Sequence, residues 1–351
     1  MPKTMPKNIM ISGATPTGKT MVVIALAAKL RARGKSVTYF KPVGERSFDA
    51  EIDDDAILMK DLLKMKAELG CICPVILTPA SHSEMLRIGH EELFKKIEGC
   101  YSEVSRGSDY VLIESTAEPW DMLHVDLSAP QVAKHLDARV VCLVTFTDES
   151  SLDDVLLHRD FFKQHGIEPI SVILFQVPPM LRTFIEQTAG PRLKEFGVDF
   201  CGAVYQNREL FGPTIRDILR ALEGQMVIGE EKMHVSIDQF MVGSMDVENA
   251  LKWFRRVAGK AVITSGDRSD VCLAALETDT KLLLLTGGMG PDIRTVARAK
   301  TLGVPIMLTA KDTYSTSQIV DHLVGTITSD NREKIAAVER IIGESIDISD
   351  L

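Results

Sequence analysis

The sequence predicts an α/β protein: a P-loop parallel sheet with helices on both faces, followed by a smaller α/β domain. Three observations carry this. Gly13-Ala-Thr-Pro-Thr-Gly-Lys-Thr20 fits G-x-x-x-x-G-K-[ST] without a mismatch. From Asn8 to Tyr205 short apolar, β-branched runs alternate with longer amphipathic stretches, and from Met233 a different set of strand ends begins. The 351 residues suit two domains of about 150 each, and 45% hydrophobic with 25% charged residues lets both bury a core.

The first strand, around Ile9 to Ile11, leads into the loop, and a helical pattern from Met21 to Arg33 follows it. Gly13, Thr15, Thr17, Gly18, Lys19 and Thr20 are therefore expected to hold the phosphates of ATP or another nucleoside triphosphate. The glycines let backbone N–H groups turn inward, Lys19 reaches the outer phosphates, and the Thr20 hydroxyl can ligate Mg²⁺. A bare glycine-rich turn would leave Lys19 and Thr20 unexplained.

Further apolar runs at Val37 to Val43, Tyr110 to Ile113, Val140 to Phe146, Ile170 to Val177 and Phe200 to Val204 are near-continuous. This marks strands buried on both faces, whose ligands sit beyond their carboxyl ends. Lys41 ends the second strand, where an amine can face phosphate or stand as a surface lysine; position alone does not decide. The acidic run Asp49, Glu51, Asp53, Asp54 and Asp55 precedes a helix at Ala56 to Met65, where carboxylates serve as caps and one can also hold Mg²⁺. Glu114 ends a buried strand, where an unpaired charge is costly and a cation partner is expected. Together these strand ends supply two lysines, a hydroxyl and at least two carboxylates, the inventory for Mg²⁺ and a triphosphate.

Gly13 to Thr20, Lys41-Pro42-Val43, Asp55-Ala56 and Glu114 resemble, in order and spacing, dethiobiotin synthetase. The segment Val125 to Ala129 through Leu136-Asp137-Ala138 looks more like the synthetase-like N-terminal region of long phosphotransacetylases. The resemblance covers Asn8 to about Tyr205. It implies that Lys19 and Lys41 contact phosphate and carbamate oxygens as the catalytic pair, and that Thr20, Asp55 and Glu114 gather around Mg²⁺. Two departures stand out. Glu114-Ser115-Thr116-Ala117-Glu118 lacks the glycines that follow the acid in the synthetases, and Phe175 stands where that family has a purine-reading asparagine, either stacking on a base or filling core.

Asn207 to Ile228, with Pro213, a helix at Thr214 to Leu222 and Gly224, reads as a connector. Beyond it, three apolar strands deliver Thr264, Thr286 and Thr309, and two continue into glycine-containing turns. Hydroxyls and backbone N–H groups there can line one rim of a second small-molecule site, or simply begin ordinary strand-to-helix turns. Gly266-Asp267-Arg268-Ser269-Asp270, Thr286-Gly287-Gly288 and Asp312-Thr313-Tyr314-Ser315-Thr316 resemble the DRTGG domain, as does Val242 to Ala250 at its start. The second site would comprise Thr264, Asp267, Arg268, Thr286, Gly287, Gly288, Asp312 and Thr313. The expected division is 1–205 synthetase-like, 206–232 connector, 233–328 DRTGG, and 329–351 a helical, then acidic tail.

A formal charge of −9 and a pI near 5.5 argue against a nucleic-acid partner. Six cysteines are scattered, and only Cys71 and Cys73 are close-spaced; with no second pair to complete a metal site, reduced buried thiols are expected. His82 and His90 read as loop or helix-surface residues, and no glycine-rich nucleophile elbow supports Ser-His-Asp catalysis. With no signal-like or membrane-length apolar run, a cytoplasmic location is expected.

In long phosphotransacetylases the synthetase-like and DRTGG regions precede the acetyltransferase domain and are regulatory. The resemblance therefore implies a free-standing, Mg²⁺-dependent nucleotide-binding regulator, a homodimer, partnered with an enzyme of acetyl-phosphate or acyl-CoA metabolism. The alternative is an ATP-dependent ligase that activates a carboxylate or carbamate by phosphorylation. A third reading is a scaffold that binds nucleotide only for folding or dimerisation.

Overall fold

The computed structural model describes residues 5–14, 18–45, 52–78, 81–321, 323 and 325–347. The chain folds as two compact units: the first runs to Gln206 and resumes at Arg332, and the second comprises Asn207–Asn331.

In the first unit six strands form one parallel sheet: β1 (Lys7–Gly13), β2 (Val37–Phe40), β5 (Tyr110–Glu114), β6 (Ala138–Thr145), β7 (Ser171–Val177) and β8 (Asp199–Tyr205). Their spatial order is β2-β5-β1-β6-β7-β8. All six expected strands are present. Residues Ile9 to Ile11 and Val111 to Ile113 are buried without alternation, which requires cover on both faces. The register Ile11↔Glu114 and Gly13↔Leu143 brings the carboxyl ends of β5, β1 and β6 level, so residues just past them share one crevice.

The apolar run from Val37 to Val43 is not one strand. Pro42 has no N–H to donate, and the Lys41 N–H leaves the sheet to donate to Ile72 O at 2.9 Å. The chain then forms β3 (Val43–Glu45), which pairs in parallel with β4 (Val75–Leu77) as a separate two-stranded ribbon. Among the described residues no helix is long and apolar enough to cross a membrane.

The helix Arg332–Ser345 belongs to the first unit and packs on α1 (Lys19–Ala32). Lys29 Nζ donates to Gly343 O at 2.8 Å and Ile346 O at 2.6 Å, supplying a cation and two hydrogen bonds to carbonyls at that helix's end. Ile346 forms an antiparallel bridge to Gly202 on the edge strand β8. Gly202 has φ +133°, and a Cβ there would lie 2.2 Å from Ser345 O, so the closing segment demands glycine.

The second unit holds β9 (Gln225–Ile228), β10 (Gln239–Val242), β11 (Lys260–Ser265), β12 (Thr280–Thr286) and β13 (Ile306–Leu308), ordered β10-β11-β12-β13-β9 with β9 antiparallel at one edge. Alternate residues serve two cores. Ala261, Ile263, Leu282 and Leu284 face Ile215, Ile218 and Leu222, while Val262, Leu283 and Leu285 face Phe254, Val271 and Leu276. Within 206–232, the helix Ile215–Leu222 thus covers one face of this sheet and β9 extends it. Thr214 and Asp217 cap that helix reciprocally, a capping box with aspartate.

The chain has two tryptophans, Trp120 in the first unit and Trp253 in the second. In a Trp253→Phe background, Lys29→Met should destabilise the first unit by about 1–3 kcal/mol, the range for hydrogen bonds to a charged group. Urea unfolding followed by Trp120 fluorescence checks this; an unchanged midpoint would remove Lys29 as the clamp.

Candidate functional site

β1 ends at Gly13 and α1 begins at Lys19, capped by Gly18 in the left-handed conformation, φ +73°. Both glycines are required by their neighbours. A Cβ on Gly13 (φ +142°) would lie 2.2 Å from Leu143 O, and one on Gly18 would lie 2.7 Å from the Phe175 ring. Thr15 and Thr17, the other expected loop contacts, lie outside the described residues. Lys19 Nζ folds back to donate to Gly13 O at 3.0 Å and Ala117 O at 2.9 Å, bridging the ends of β1 and the segment after β5. Burial holds its ammonium below the usual lysine value, Lys41 adding to that and Glu114 opposing it.

Glu114 is 2% exposed and lies at the centre of the crevice. Its Oε1 accepts from Thr20 Oγ1 at 2.9 Å, its Oε2 from Tyr39 OH at 3.0 Å, and Lys41 Nζ stands 3.9 Å away. Lys41 Nζ pairs with Asp55 Oδ2 at 2.5 Å and Asp53 Oδ2 at 2.9 Å. The acidic run reads out as a division of labour. Asp53 caps α2 (Asp54–Leu63), accepting from Asp55 N at 3.0 Å and Ala56 N at 3.1 Å, while its second oxygen takes Glu45 N at 2.9 Å. Asp49 and Glu51 lie outside the described residues.

Burial, with Asp55 nearby, pushes the Glu114 carboxyl up to about 7 against the pull of Lys41 and Lys19. Burial acts on Asp55 in the same sense, but Lys41, Thr20 and Lys19 hold it below the usual carboxylate range. Burial works against the Lys41 ammonium, yet Asp55, Glu114 and Asp53 keep it well above the usual lysine value. The two buried acids are thus pushed apart: Glu114 is raised to about 7 and Asp55 is held ionised.

All five polar positions expected from the sequence therefore converge: Lys19, Thr20, Lys41, Asp55 and Glu114. Tyr39, Asp53 and the Ala117 carbonyl join them. Asp53 was visible in the acidic run; Tyr39 sits inside an apolar strand, where no sequence signal separates it from core. Among the described residues no three His, Cys, Asp or Glu side chains are arranged as a metal-binding group. The donor set of Thr20 hydroxyl with the Asp55 and Glu114 carboxylates is nevertheless hard oxygen throughout, the chemistry Mg²⁺ takes alongside phosphate oxygens and water.

The departures are also resolved. Ser115 is buried, and its Oγ donates to Ser12 Oγ at 3.1 Å and Thr116 O at 3.1 Å. Beside it, Pro42, Val43, Glu114, Thr116, Leu127 and Val132 enclose only about 10 Å³. Phe175 is fully buried under Gly18, so it fills core rather than stacking on a base. A separate cleft of about 830 Å³ is lined by Glu45, Leu77, Asp121 and His124 and by Trp120 and Leu123.

In the second unit the expected ligand residues meet at the ends of β11 and β12 but are largely engaged with one another. Thr264 Oγ1 donates to Gly243 O at 3.2 Å, and Thr286 Oγ1 lies 2.8 Å from Thr313 Oγ1. Gly287 and Gly288, both at positive φ, donate their N–H groups to Lys311 O and Thr309 O at 2.9 Å. Asp312 caps the helix Thr313–Asp321 through Tyr314 N and Ser315 N. Arg268 donates to Met245 O at 2.9 Å, and Asp267 is exposed.

A glycine-bounded strand-to-helix loop, with its lysine folded back and a threonine–glutamate pair beneath it, is the architecture of a P-loop protein. The chain belongs to the AAA domain family, which matches residues 7–214; residues 217–323 match the DRTGG domain. Similar curated proteins include a phosphate acetyltransferase of Nitratidesulfovibrio vulgaris, 26% identical over 99% of this chain and 51% of that protein. Another, from Synechocystis, is 22% identical over 94% of this chain and 49% of its own length. The chain thus spans about half the length of these relatives. Among solved structures, the CBS and DRTGG domains of the regulatory region of Clostridium perfringens pyrophosphatase, complexed with the activator diadenosine tetraphosphate, are 18% identical with a TM-score of 0.28, over 52% of this chain and 76% of that one. The signal recognition particle receptor FtsY of Elizabethkingia anophelis in complex with GDP is 13% identical with a TM-score of 0.36, over 59% of each chain.

The raised Glu114 value has a signed consequence. Folded Glu114 holds its proton more tightly than the unfolded chain does, so its contribution to stability is present below about 4.5 and is lost as pH rises through about 7. The loss is at most about 3 kcal/mol. Glu114→Gln should flatten the fall in stability across that window, measured by urea unfolding with a chelator present; a slope equal to wild type would refute the placement.

Proposed function

We propose that the chain is a nucleotide-binding regulatory protein. Its P-loop unit takes a nucleoside triphosphate with Mg²⁺, its DRTGG unit takes a small molecule, and the protein acts on an enzyme of acetyl-phosphate or acyl-CoA metabolism. The observation that carries the nucleotide assignment is the convergence of Lys19, Lys41 and the Thr20–Glu114 pair at the carboxyl ends of adjacent strands. Bound Mg²⁺ would supply charge neutralisation for the triphosphate, with Thr20, Asp55 and Glu114 as its protein oxygens. Lys19 would release Gly13 O and Ala117 O to meet phosphate, and the Lys41 ammonium, held by two aspartates, would present a fixed charge beside it. The regulatory part of the reading is supported by the pairing of the AAA and DRTGG matches with phosphate acetyltransferase relatives, and by Ser115 and its neighbours closing the space beside Glu114 to about 10 Å³, one water's worth.

The second reading, an ATP-dependent ligase, is favoured by one observation: Lys19, Thr20, Lys41, Asp55 and Glu114 of the synthetase resemblance are all filled and brought together, and a cleft of about 830 Å³ bordering Glu45 offers room for an acceptor. Lys41 would then orient the acceptor, and Lys19 would offset charge developing on the transferred phosphoryl group.

Calorimetric titration with ATP, GTP and CTP, each with Mg²⁺, tests the site. Lys19→Ala should weaken binding by about 100-fold, equivalent to about 2.7 kcal/mol, measured where the variant is fully folded, since losing its bonds to Gly13 O and Ala117 O should itself lower the unfolding midpoint. Unaltered affinity in Lys19→Ala sinks the nucleotide assignment. Phosphate release with diaminopelargonate and bicarbonate, or with simple carboxylates, would move the reading from regulator to ligase.

A further inference from the structure

Outside the phosphate crevice, two helices of the first unit bring a pair of thiols together. Cys71 lies on Leu69–Ile72 and Cys100 on His90–Val104, and their sulfurs are 3.4 Å apart although 29 residues separate them in sequence. Both are half-exposed, both are free, and no other pair of cysteines is in sulfur contact among the described residues. Cys100 Sγ donates to Cys71 Sγ, and Cys71 Sγ lies 3.5 Å from Glu103 Oε2. Each sulfur is thus already on the other's approach path, with a carboxylate beside Cys71 to receive a proton.

We propose that Cys71 and Cys100 form a reversible intramolecular disulfide when the protein meets a hydroperoxide. With hydrogen peroxide, Cys100 sulfur takes one oxygen: the O–O bond breaks, a water leaves, and the sulfur becomes a sulfenic acid. Cys71 sulfur then attacks that sulfur. The S–O bond breaks, the oxygen leaves as a second water with the proton that Cys71 gives up through Glu103, and the S–S bond forms. Two thiols lose two electrons and two protons, and one peroxide accepts them. Burial, Cys100 and Glu103 push the Cys71 thiol up to about 12, so Cys71 does not react first with peroxide, and its attack on the adjacent sulfur is coupled to loss of its proton to Glu103. Closing the bond needs the sulfurs to move from 3.4 Å to about 2.05 Å.

The location gives the bond a consequence. The helix that carries Cys71 ends at Ile72, whose carbonyl accepts the Lys41 N–H at 2.9 Å, and the next residue, Cys73, packs against Gly44. A Cys71–Cys100 disulfide would therefore tether the element that anchors the Lys41 backbone to the helix His90–Val104. The thiol chemistry itself does not depend on the nucleotide assignment.

The test is thiol counting and peptide mapping of the full-length protein under excess hydrogen peroxide. Six free thiols should fall to four, mass spectrometry should find one Cys71–Cys100 linked peptide pair, and dithiothreitol should restore all six. Cys71→Ser and Cys100→Ser should each abolish the linked pair, while Cys201→Ser should retain it. Persistence of both thiols in wild type, their separate oxidation to sulfinic acids, or linkage through a different cysteine would overturn the proposal, and none of these readings depends on a variant folding.

Discussion

The first unit is organised around one buried carboxylate. Glu114 ends a strand whose preceding residues are wholly buried, and a carboxylate in that position is tolerated only if its oxygens are satisfied. The partners come from separate elements: Thr20 from the first turn of α1, Tyr39 from β2 and, at longer range, Lys41 from the break after β2. Satisfying one acid therefore fixes where α1 starts, how β2 sits against β5, and where the chain leaves the sheet. Burial raises the Tyr39 phenol well above its usual value, so it stays a donor to that oxygen.

From that centre the constraint spreads outward through α1. Its buried face, Met21 to Ala27 with Leu30, is nearly continuous, so the helix is core on most sides rather than an amphipathic surface helix. Lys29 at its far end holds the closing segment Gly343 to Ile346, which in turn bridges the edge strand β8. The residues Asn207–Asn331 are thus an insertion in chain order between β8 and the helix that completes its unit. A chain that leaves a domain and returns to complete it keeps both of its crossings tied to packed structure, here β8 on one side and a helix against α1 on the other.

Much of this was legible because the physics is local. A P-loop needs a strand, two glycines, a lysine and a hydroxyl in fixed order, and a doubly covered strand needs an unbroken apolar run, so the sheet, Lys19, Thr20 and the strand-ending Glu114 could be read from residues in sequence, whereas Lys41 and Asp55 were assigned only through the family resemblance. What could not be read depends on distant partners. The clash of Gly202 with Ser345, the role of Tyr39, and the meeting of Cys71 with Cys100 each join segments whose sequences carry no mark of the other. The helix Arg332–Ser345 was legible as a helix, but its docking on α1 was not, because its buried residues Ile335, Val338 and Ile342 fit any apolar groove. The second unit shows residues whose partners were equally hidden from sequence. Thr264, Thr286, Gly287 and Gly288 are conspicuous in sequence, and their polar groups bond Gly243, Thr313, Lys311 and Thr309 from distant segments, while Asp267 is exposed.

The charge balance of the crevice explains why a polyanion suits it. Two ammonium groups, Lys19 and Lys41, face three carboxyls, Asp53, Asp55 and Glu114. With Glu114 raised to about 7 it is only partly ionised near neutrality, which reduces the negative excess that the buried acids would otherwise set against the two ammonium groups. Glu114 stands 3.9 Å from the Lys41 ammonium, too far for a direct hydrogen bond, which leaves its value raised to about 7. In the proposed function, a divalent cation taken by Thr20, Asp55 and Glu114 would add net positive charge to a buried crevice beside a lysine bonded to two carbonyls. Phosphate oxygens are the acceptors that such an excess of charge and freed donors favours, whereas a neutral ligand would leave both the cation and Lys19 uncompensated. Phe175, packed against Gly18, offers no polar edge to a base.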